Sequence, residues 1–263
     1  MERFALILGV SSGFGKATAL ELAKGGVSIF GVHLDRKGGL EVVERLKSDI
    51  ERAGVRAVFF NVNAADDSKR SLVIEEMTRL RNESFFRLSV FLHSLAFGTL
   101  KPVVAKSPKE RVSRSQLEMT IDVMANSFLY WMQDLYGAGF LEQGTQAYAM
   151  TSAGGTRVWP SYGPVSVAKA ALEAHVRQLA YELIPSGVSV NAILAGVTRT
   201  PALEKIPGAE QMVNLALERS SAGRLTAPED VGRLIATVAL SPFDNTWCTG
   251  NTIRVDGGEN LAG

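Results

Sequence analysis

The chain has one cysteine, Cys248, and three histidines among 263 residues. A lone thiol closes no internal disulfide, and no cysteine and histidine group has metal-ligand spacing, so neither a disulfide scaffold nor a bound metal is expected. Excess charge of either sign is also missing. With 28 Lys and Arg against 27 Asp and Glu, the formal net charge of +1 argues against a nucleic-acid or anionic-membrane partner. Long apolar runs are absent. The first, Phe4 to Val10, is too short to span a bilayer and lacks the charged flank and cleavage site of a secretion signal. A reducing cytoplasm is the expected compartment. There is no internal repeat, linker or low-complexity tract. The length suits one large α/β domain, with two small ones as the alternative.

What is present alternates. The strand Phe4 to Val10 runs into Gly9-Val10-Ser11-Ser12-Gly13-Phe14-Gly15-Lys16-Ala17, followed by an apolar-periodic helix to about Lys24. Strand, glycine turn and helix are the order a phosphate site needs: glycines let the backbone approach a pyrophosphate, and the free amides at a helix start attract its charge. The alternative is an ordinary tight turn. A second strand, Ser28 to Val32, ends at His33-Leu34-Asp35-Arg36-Lys37. There an acid usually bonds the adenosine ribose and a cation accommodates a 2′-phosphate. Arg36 and Lys37 favour NADP, Asp35 leaves NAD open, and a solvated charged turn is the third possibility.

Helical periodicity follows over 40–53, then a strand from Ala57 to Val62 ending in Asn63-Ala64-Ala65-Asp66, a helix over 68–82 and a strand from Leu88 to Leu92. This βαβαβ alternation predicts a doubly wound parallel sheet. At the end of the last strand, His93-Ser94-Leu95-Ala96-Phe97-Gly98 supplies small residues where a cofactor ring could lie. His93 has no evident carboxylate partner, so a structural imidazole is expected there. Gln116 to Tyr136 reads as a long helix apolar on more than one face, suited to packing against a second subunit as well as the sheet. Further strands are expected over Gln146–Met150, Ser189–Ile193 and within 250–258. Residues 201–224 lack a strand pattern and are expected to form a short helical lid over the substrate.

The chemistry concentrates in Ala153-Gly154-Gly155-Thr156-Arg157-Val158-Trp159-Pro160-Ser161-Tyr162 and the helix that follows. Tyr162 and Lys169 are separated by six residues, close to two helical turns, so both can face one place. Pro164 belongs in a first helical turn, which puts the helix start near Gly163 and Tyr162 at its mouth. A nearby ammonium favours the tyrosinate, so such a pair can tune a phenol as a proton donor, while the lysine can also bond ribose hydroxyls. A buried tyrosine and a surface lysine at helical spacing would give the same letters.

Gly9, Gly13 and Gly15, the Tyr162 and Lys169 pair, Asn191-Ala192 and the closing Val255-Asp256-Gly257-Gly258 together resemble the short-chain dehydrogenase/reductase family over nearly the whole chain. Most members separate the tyrosine and lysine by three residues. The wider spacing here, with His93-Ser94-Leu95-Ala96-Phe97, Val167-Ala168-Lys169-Ala170-Ala171-Leu172-Glu173-Ala174 and Ala195-Gly196-Val197-Thr198-Arg199-Thr200, is similar to the bacterial enoyl-(acyl carrier protein) reductases. The resemblance implies a Rossmann-like domain, and a nicotinamide cofactor held by Gly9, Ser11, Ser12, Gly13, Phe14, Gly15, Arg36, Asn63, Ala64, Ser94, Lys169, Gly196, Val197 and Thr200, with NADPH favoured and NADH open. It implies an acyl thioester substrate, carried on acyl carrier protein, and a homotetramer built on the helices around 115–136 and 164–183. It also implies that hydride goes to the substrate β-carbon while Tyr162 stabilises or protonates the enolate oxygen and Lys169 holds the nicotinamide ribose.

Carbonyl-reducing members carry a relay asparagine in the long helix. Its place here is Met124, which moves no protons. Other positions depart from the pattern: Leu8 replaces a threonine before the first glycine, and Asn63-Ala64 replaces the Asp-Val that meets adenine. Ser152, ten residues before Tyr162, stands where many enoyl reductases have a second tyrosine. Serine there matches both carbonyl reductases and a minority of enoyl reductases preferring NADPH, so Ser152 is a third catalytic candidate, with strand-end capping as its plainer role. Three functions follow: an enoyl-thioester reductase first, a carbonyl reductase or alcohol dehydrogenase second, and a cofactor-sensing protein without turnover third.

Overall fold

A computed structural model of the chain describes residues 1–241 and 246–261. The strands β1 (Glu2–Leu8), β2 (Val27–His33), β3 (Ala57–Asn61), β4 (Phe86–His93), β5 (Gln146–Ser152), β6 (Ser189–Ala195) and β7 (Thr252–Val255) form one sheet in the order β3-β2-β1-β4-β5-β6-β7. Every neighbouring pair is parallel. Their near-continuous apolar runs follow from burial on both faces, since parallel crossovers lay helices on each side. On one face α3 (Asp67–Glu83), α5 (Ser127–Gly137) and α6 (Gly163–Leu183) bury residues such as Met77, Trp131 and Leu172. On the other, α1 (Gly13–Lys24), α2 (Leu40–Arg52) and α8 (Pro228–Leu240) bury Leu22, Leu46 and Ile235.

Strand order reverses between β1 and β4. Leu8 pairs with His93, His93 with Ala149, and Ser152 with Ala195, so the carboxyl ends of β1, β4, β5 and β6 open on one edge. Open α/β sheets bind ligands at such a switch point.

The expected long helix is real but not regular. It begins at Arg114 as α4 (Arg114–Ile121), because Ser113 and Gln116 cap each other: Ser113 Oγ accepts from the Gln116 N–H at 3.2 Å, and Gln116 Oε1 from the Ser113 N–H at 3.0 Å. A π-helical turn over Asp122–Asn126 then joins α4 to α5. Within it the Val123 carbonyl also accepts from Ser127 Oγ at 2.8 Å, a local competitor for the helix ladder that the apolar periodicity does not disclose. Such turns are rare and concentrate near functional sites; this one buries Met124 and Ala125. The segment 201–224 contains a single turn of 3₁₀ helix and α7 (Ala209–Arg219). Helix α8 was not anticipated, although Pro228 at its start and the Ala227 N–H donating to Asp230 Oδ2 at 2.9 Å are ordinary helix-start features. Among the described residues no helix is long and apolar enough to cross a membrane, and no group of three or more His, Cys, Asp or Glu could hold a metal ion.

Candidate active site

The loop between β1 and α1 is folded by contacts that only glycine permits. The N–H groups of Gly9 and Val10 both donate to the Val32 carbonyl, at 2.8 and 3.2 Å, which bends the chain away from the sheet. A Cβ on Gly15 would fall 2.2 Å from the Gly9 carbonyl oxygen, and one on Gly9, where φ is +82°, would fall 2.4 Å from that of Ser94. Helix α1 starts at Gly13 with no side-chain cap from Ser12 and no acidic residue in its first turn. Its positive end is therefore left for an anion. Gly13 (φ +52°) faces Thr200 across the opening, its notional Cβ 3.4 Å from Thr200 Cγ2. Uncapped amides, a tight glycine turn and a neighbouring apolar cleft fit the pyrophosphate and nicotinamide of a dinucleotide.

At the end of β2 the charged cluster is ordered. His33, itself buried, lies with Nδ1 3.0 Å from Asp35 Oδ2, and Asn61 brackets the Asp35 backbone by accepting from its N–H at 3.1 Å and donating to its carbonyl at 3.0 Å. Arg36 is exposed, its carbonyl accepts from the Gly39 N–H at 2.8 Å, and its side chain makes no hydrogen bond or ion pair among the described residues. Asn63 caps its own turn, Oδ1 accepting from the Ala65 N–H at 3.1 Å. The Ala64 carbonyl accepts from Trp131 Nε1 at 2.8 Å, and this pulls Ala64 into the core.

Strand β5 and helix α6 carry the chemistry. Tyr162 is the residue before α6, with Pro164 in the first turn, as its sequence position predicts. Its Oη is 3.4 Å from Ser152 Oγ at the end of β5, and a Cβ on Gly154 would fall 2.3 Å from its ring. Lys169 is not a surface residue: it is buried, and Nζ donates to the Met150 carbonyl at 2.6 Å. Burial brings its ammonium down to about 8, with Glu173, one turn along α6, pulling the other way. Glu173 is itself held by Thr151, which donates to Oε1 at 2.7 Å. Burial also raises the Tyr162 phenol above its ordinary value, offset in part by Ser152. The expected pull toward tyrosinate is therefore reversed in the free protein: desolvation outweighs the Ser152 hydrogen bond, and the phenol keeps its proton. His93 is fully buried and has no carboxylate partner among the described residues, its Nε2 2.8 Å from Ser127 Oγ. Burial first, and then Lys169, push it down to about 3, so the imidazole is neutral.

Ser152, Tyr162 and Lys169 open on a cavity of about 550 Å³. Of the residues predicted from sequence, Phe14, Ser94, Ser152, Tyr162, Lys169, Gly196, Val197 and Thr200 line it. Arg36, Asn63 and Ala64 lie apart, along the ends of β2 and β3. Met124 lies in the wall. Segment 201–224 covers the opposite side through Leu203, Ile206, Met212 and Leu215. Among the lining residues that sequence reasoning does not single out, two are held by long-range contacts. Glu259 accepts from the Val197 N–H at 2.8 Å across 62 residues of sequence, and Trp159 donates from Nε1 to the Pro207 carbonyl at 2.9 Å. Neither contact has a local sequence signal, because each joins distant segments.

The profile of the family described as enoyl-(acyl carrier protein) reductase matches residues 9–260. The chain is 26% identical over 263 residues to the 1-cyclohexenylcarbonyl-CoA reductase of Streptomyces collinus, spanning 99% of this chain and 88% of that one. It is 27% identical over 264 residues to an enoyl-(acyl-carrier-protein) reductase (NADH) of Buchnera aphidicola, spanning 99% and 95%. The crystal structure of the enoyl-(acyl-carrier-protein) reductase (NADH) of Aquifex aeolicus shares the fold, with a TM-score of 0.81 at 23% identity over 100% of this chain and 97% of that one. The glycine turn on β1, the Tyr162 and Lys169 pair on α6 and the match over 9–260 lead to one assignment: the chain belongs to the short-chain dehydrogenase/reductase family of NAD(P)H-dependent oxidoreductases, in its enoyl-(acyl carrier protein) reductase-like group.

Proposed function

We propose that the protein reduces the C2=C3 double bond of trans-2-enoyl thioesters, with NADPH as the preferred reductant and acyl carrier protein as the carrier. The observation that carries this reading is the grouping of Tyr162, Lys169 and Met124 in the wall of one largely apolar cavity. The bound nicotinamide supplies the hydride. Tyr162, kept protonated by burial, donates a hydrogen bond to the thioester oxygen as negative charge develops there, an interaction worth about 3 kcal/mol when the donor is already in place. It then gives that enolate oxygen its proton. The enol passes to the saturated thioester as C2 gains a proton and the oxygen loses one, and the phenol is reprotonated from water. Lys169, fixed on the Met150 carbonyl, keeps two further N–H donors for ribose hydroxyls and the phenol. Leu203, Ile206 and Met212 accept the acyl chain and keep water out. Met124, buried where a relay asparagine serves carbonyl reduction, favours the enoyl substrate.

The NADPH preference is supported at the end of β2. His33 engages one oxygen of the Asp35 carboxylate, while the Arg36 side chain stands exposed and unpaired among the described residues for a 2′-phosphate. The Buchnera relative bears NADH in its name, so both nucleotides belong in the assay.

One observation favours a second reading. Ser152 Oγ lies 3.4 Å from Tyr162 Oη, and a serine beside the tyrosine suits polarisation of a ketone. The two are separated by following NADPH and NADH oxidation with trans-2-enoyl thioesters on coenzyme A and on acyl carrier protein, beside a 3-ketoacyl thioester. Saturated product from the enoyl substrate supports the first reading. Turnover of the ketone alone moves the function to carbonyl reduction, and turnover of neither leaves a cofactor-binding protein.

A further inference from the structure

We propose that Trp159 is a positioning residue that clamps the turn before Tyr162 to the segment covering the cavity, so that the phenol is held in place by the seated segment. The proposal rests on the reading of Tyr162 as proton donor.

Ser161 is the one non-glycine with a left-handed backbone among the described residues, at φ +61°. It follows Pro160 and precedes Tyr162, whose N–H donates to the Trp159 carbonyl at 3.1 Å. Proline and then a left-handed residue, closed by a bond from the fourth residue to the first, is the pattern of a type II turn. Its third place favours glycine or asparagine, because Cβ crowds the backbone there. Serine gains no such relief, and a strained turn of this kind persists only where its surroundings over-determine it.

Trp159 supplies that constraint. Its Nε1–H donates to the Pro207 carbonyl at 2.9 Å, and its ring packs on Gly208, where φ is +77° and a Cβ would fall 3.3 Å from Cζ2. Gly208 leads directly into α7. There Glu210 accepts from both terminal nitrogens of Arg199, at 2.8 and 3.0 Å, anchoring the helix to the loop after β6. Leu203 and Ile206, just before Pro207, line the cavity. On the other side Gly154 lies so close to the Tyr162 ring that no side chain would fit. The phenol is thus confined between Gly154 and the turn, the turn is held by Trp159, and Trp159 is held by residues whose neighbours meet the acyl group. Seating of Leu203 and Ile206 on an acyl chain and alignment of Tyr162 Oη are mechanically one event.

The test is a cycle of Trp159→Phe, Ser161→Gly and the double variant, using whichever thioester the protein reduces. Trp159→Phe keeps an aromatic ring and removes the N–H. It is expected to lower kcat about tenfold with the nicotinamide nucleotide Kd within about twofold of wild type, since an ångström of misplacement is costly in rate and the nucleotide touches other residues. Glycine tolerates the left-handed turn without a clamp, so Ser161→Gly in the Trp159→Phe background is expected to restore kcat to within about threefold of wild type. Full activity in Trp159→Phe overturns the proposal, as does a loss that Ser161→Gly does not repair, which would make Trp159 a cavity wall only. Should Trp159→Phe fold poorly, Ser161→Val serves instead: a β-branched residue resists φ +61° and is expected to lower kcat with the clamp intact, and unchanged kcat there also overturns the proposal. Tyr162→Phe is run alongside. Activity surviving in it removes the donor reading itself, whereas activity lost there and retained in Trp159→Phe removes the clamp alone.

Discussion

Lys169 Nζ donates to the Met150 carbonyl at 2.6 Å, which ties the middle of α6 to the end of β5 inside the protein. The bond leaves the ammonium two donors for the cavity. It also keeps in the interior a charge that Glu173, four residues along α6, helps to offset.

That burial sets a pH dependence. If the ammonium is the working form, kcat/KM should fall on the alkaline side through about pH 8, the value to which burial lowers Lys169. Glu173 pulls the pKa upward, so Glu173→Gln should move the descending limb to lower pH. A limb that stays in place in the variant would dissociate Glu173 from Lys169. Stability has the same origin and a definite sign. Between about 8 and the ordinary 10.5 the unfolded chain holds the Lys169 proton and the folded chain does not, so stability rises with pH across that window, and the penalty is fully present below it. Lys169→Met, which keeps the length and drops the charge, should therefore raise Tm at pH 7 while abolishing turnover.

Tyr162→Phe should cost about a thousandfold in kcat, in the middle of the range for a general acid, with nucleotide affinity unchanged by fluorescence titration. Ser152→Ala distinguishes the two substrates. It should cost about tenfold or more on a ketone, where a second donor polarises the oxygen, and less on an enoyl thioester.

For Arg36→Ala, the expected outcome is a rise of about tenfold or more in the Michaelis constant for NADPH and little change for NADH, read by initial rates with each nucleotide. An equal effect on both would take Arg36 out of 2′-phosphate recognition.

Gly15→Ala forces a Cβ to within 2.2 Å of the Gly9 carbonyl oxygen, and backbone must move to admit it. A cost of about 1–3 kcal/mol in stability is expected, in line with overpacking elsewhere, together with weakened nucleotide binding. Thermal unfolding with and without nucleotide separates the two effects. An unshifted Tm would mean that the turn yields more easily than its contacts imply.

The strand, glycine turn and helix at the start of the chain were legible because their signals are local: an apolar run, glycines at fixed offsets and a helical period occupy adjacent residues. The same holds for Pro164 placing Tyr162 before α6. Met124 was assigned a place by matching alone, and it does line the cavity. The π-helical turn beside it was hidden, since Ser127 competing for the Val123 carbonyl leaves the apolar periodicity almost untouched. Helix α8 has readable start signals at Ala227, Pro228 and Asp230, but proline and aspartate are common in turns as well and do not by themselves mark a helix.

By itself the sequence determined the parallel doubly wound architecture, the glycine turn and the spacing of Tyr162 and Lys169, because each depends on the order of neighbouring residues. Only the tertiary structure decided the protonation of the site. A pKa responds to the water displaced by every element packed around a group, so the burial that lowers Lys169 and raises Tyr162 exists only once β5, α6 and the cavity wall are assembled. It alone decided that Asp35 turns to His33, that Glu259 holds the Val197 amide and that Trp159 reaches Pro207. The last two contacts join segments 62 and 48 residues apart, and no periodicity in either segment encodes the other.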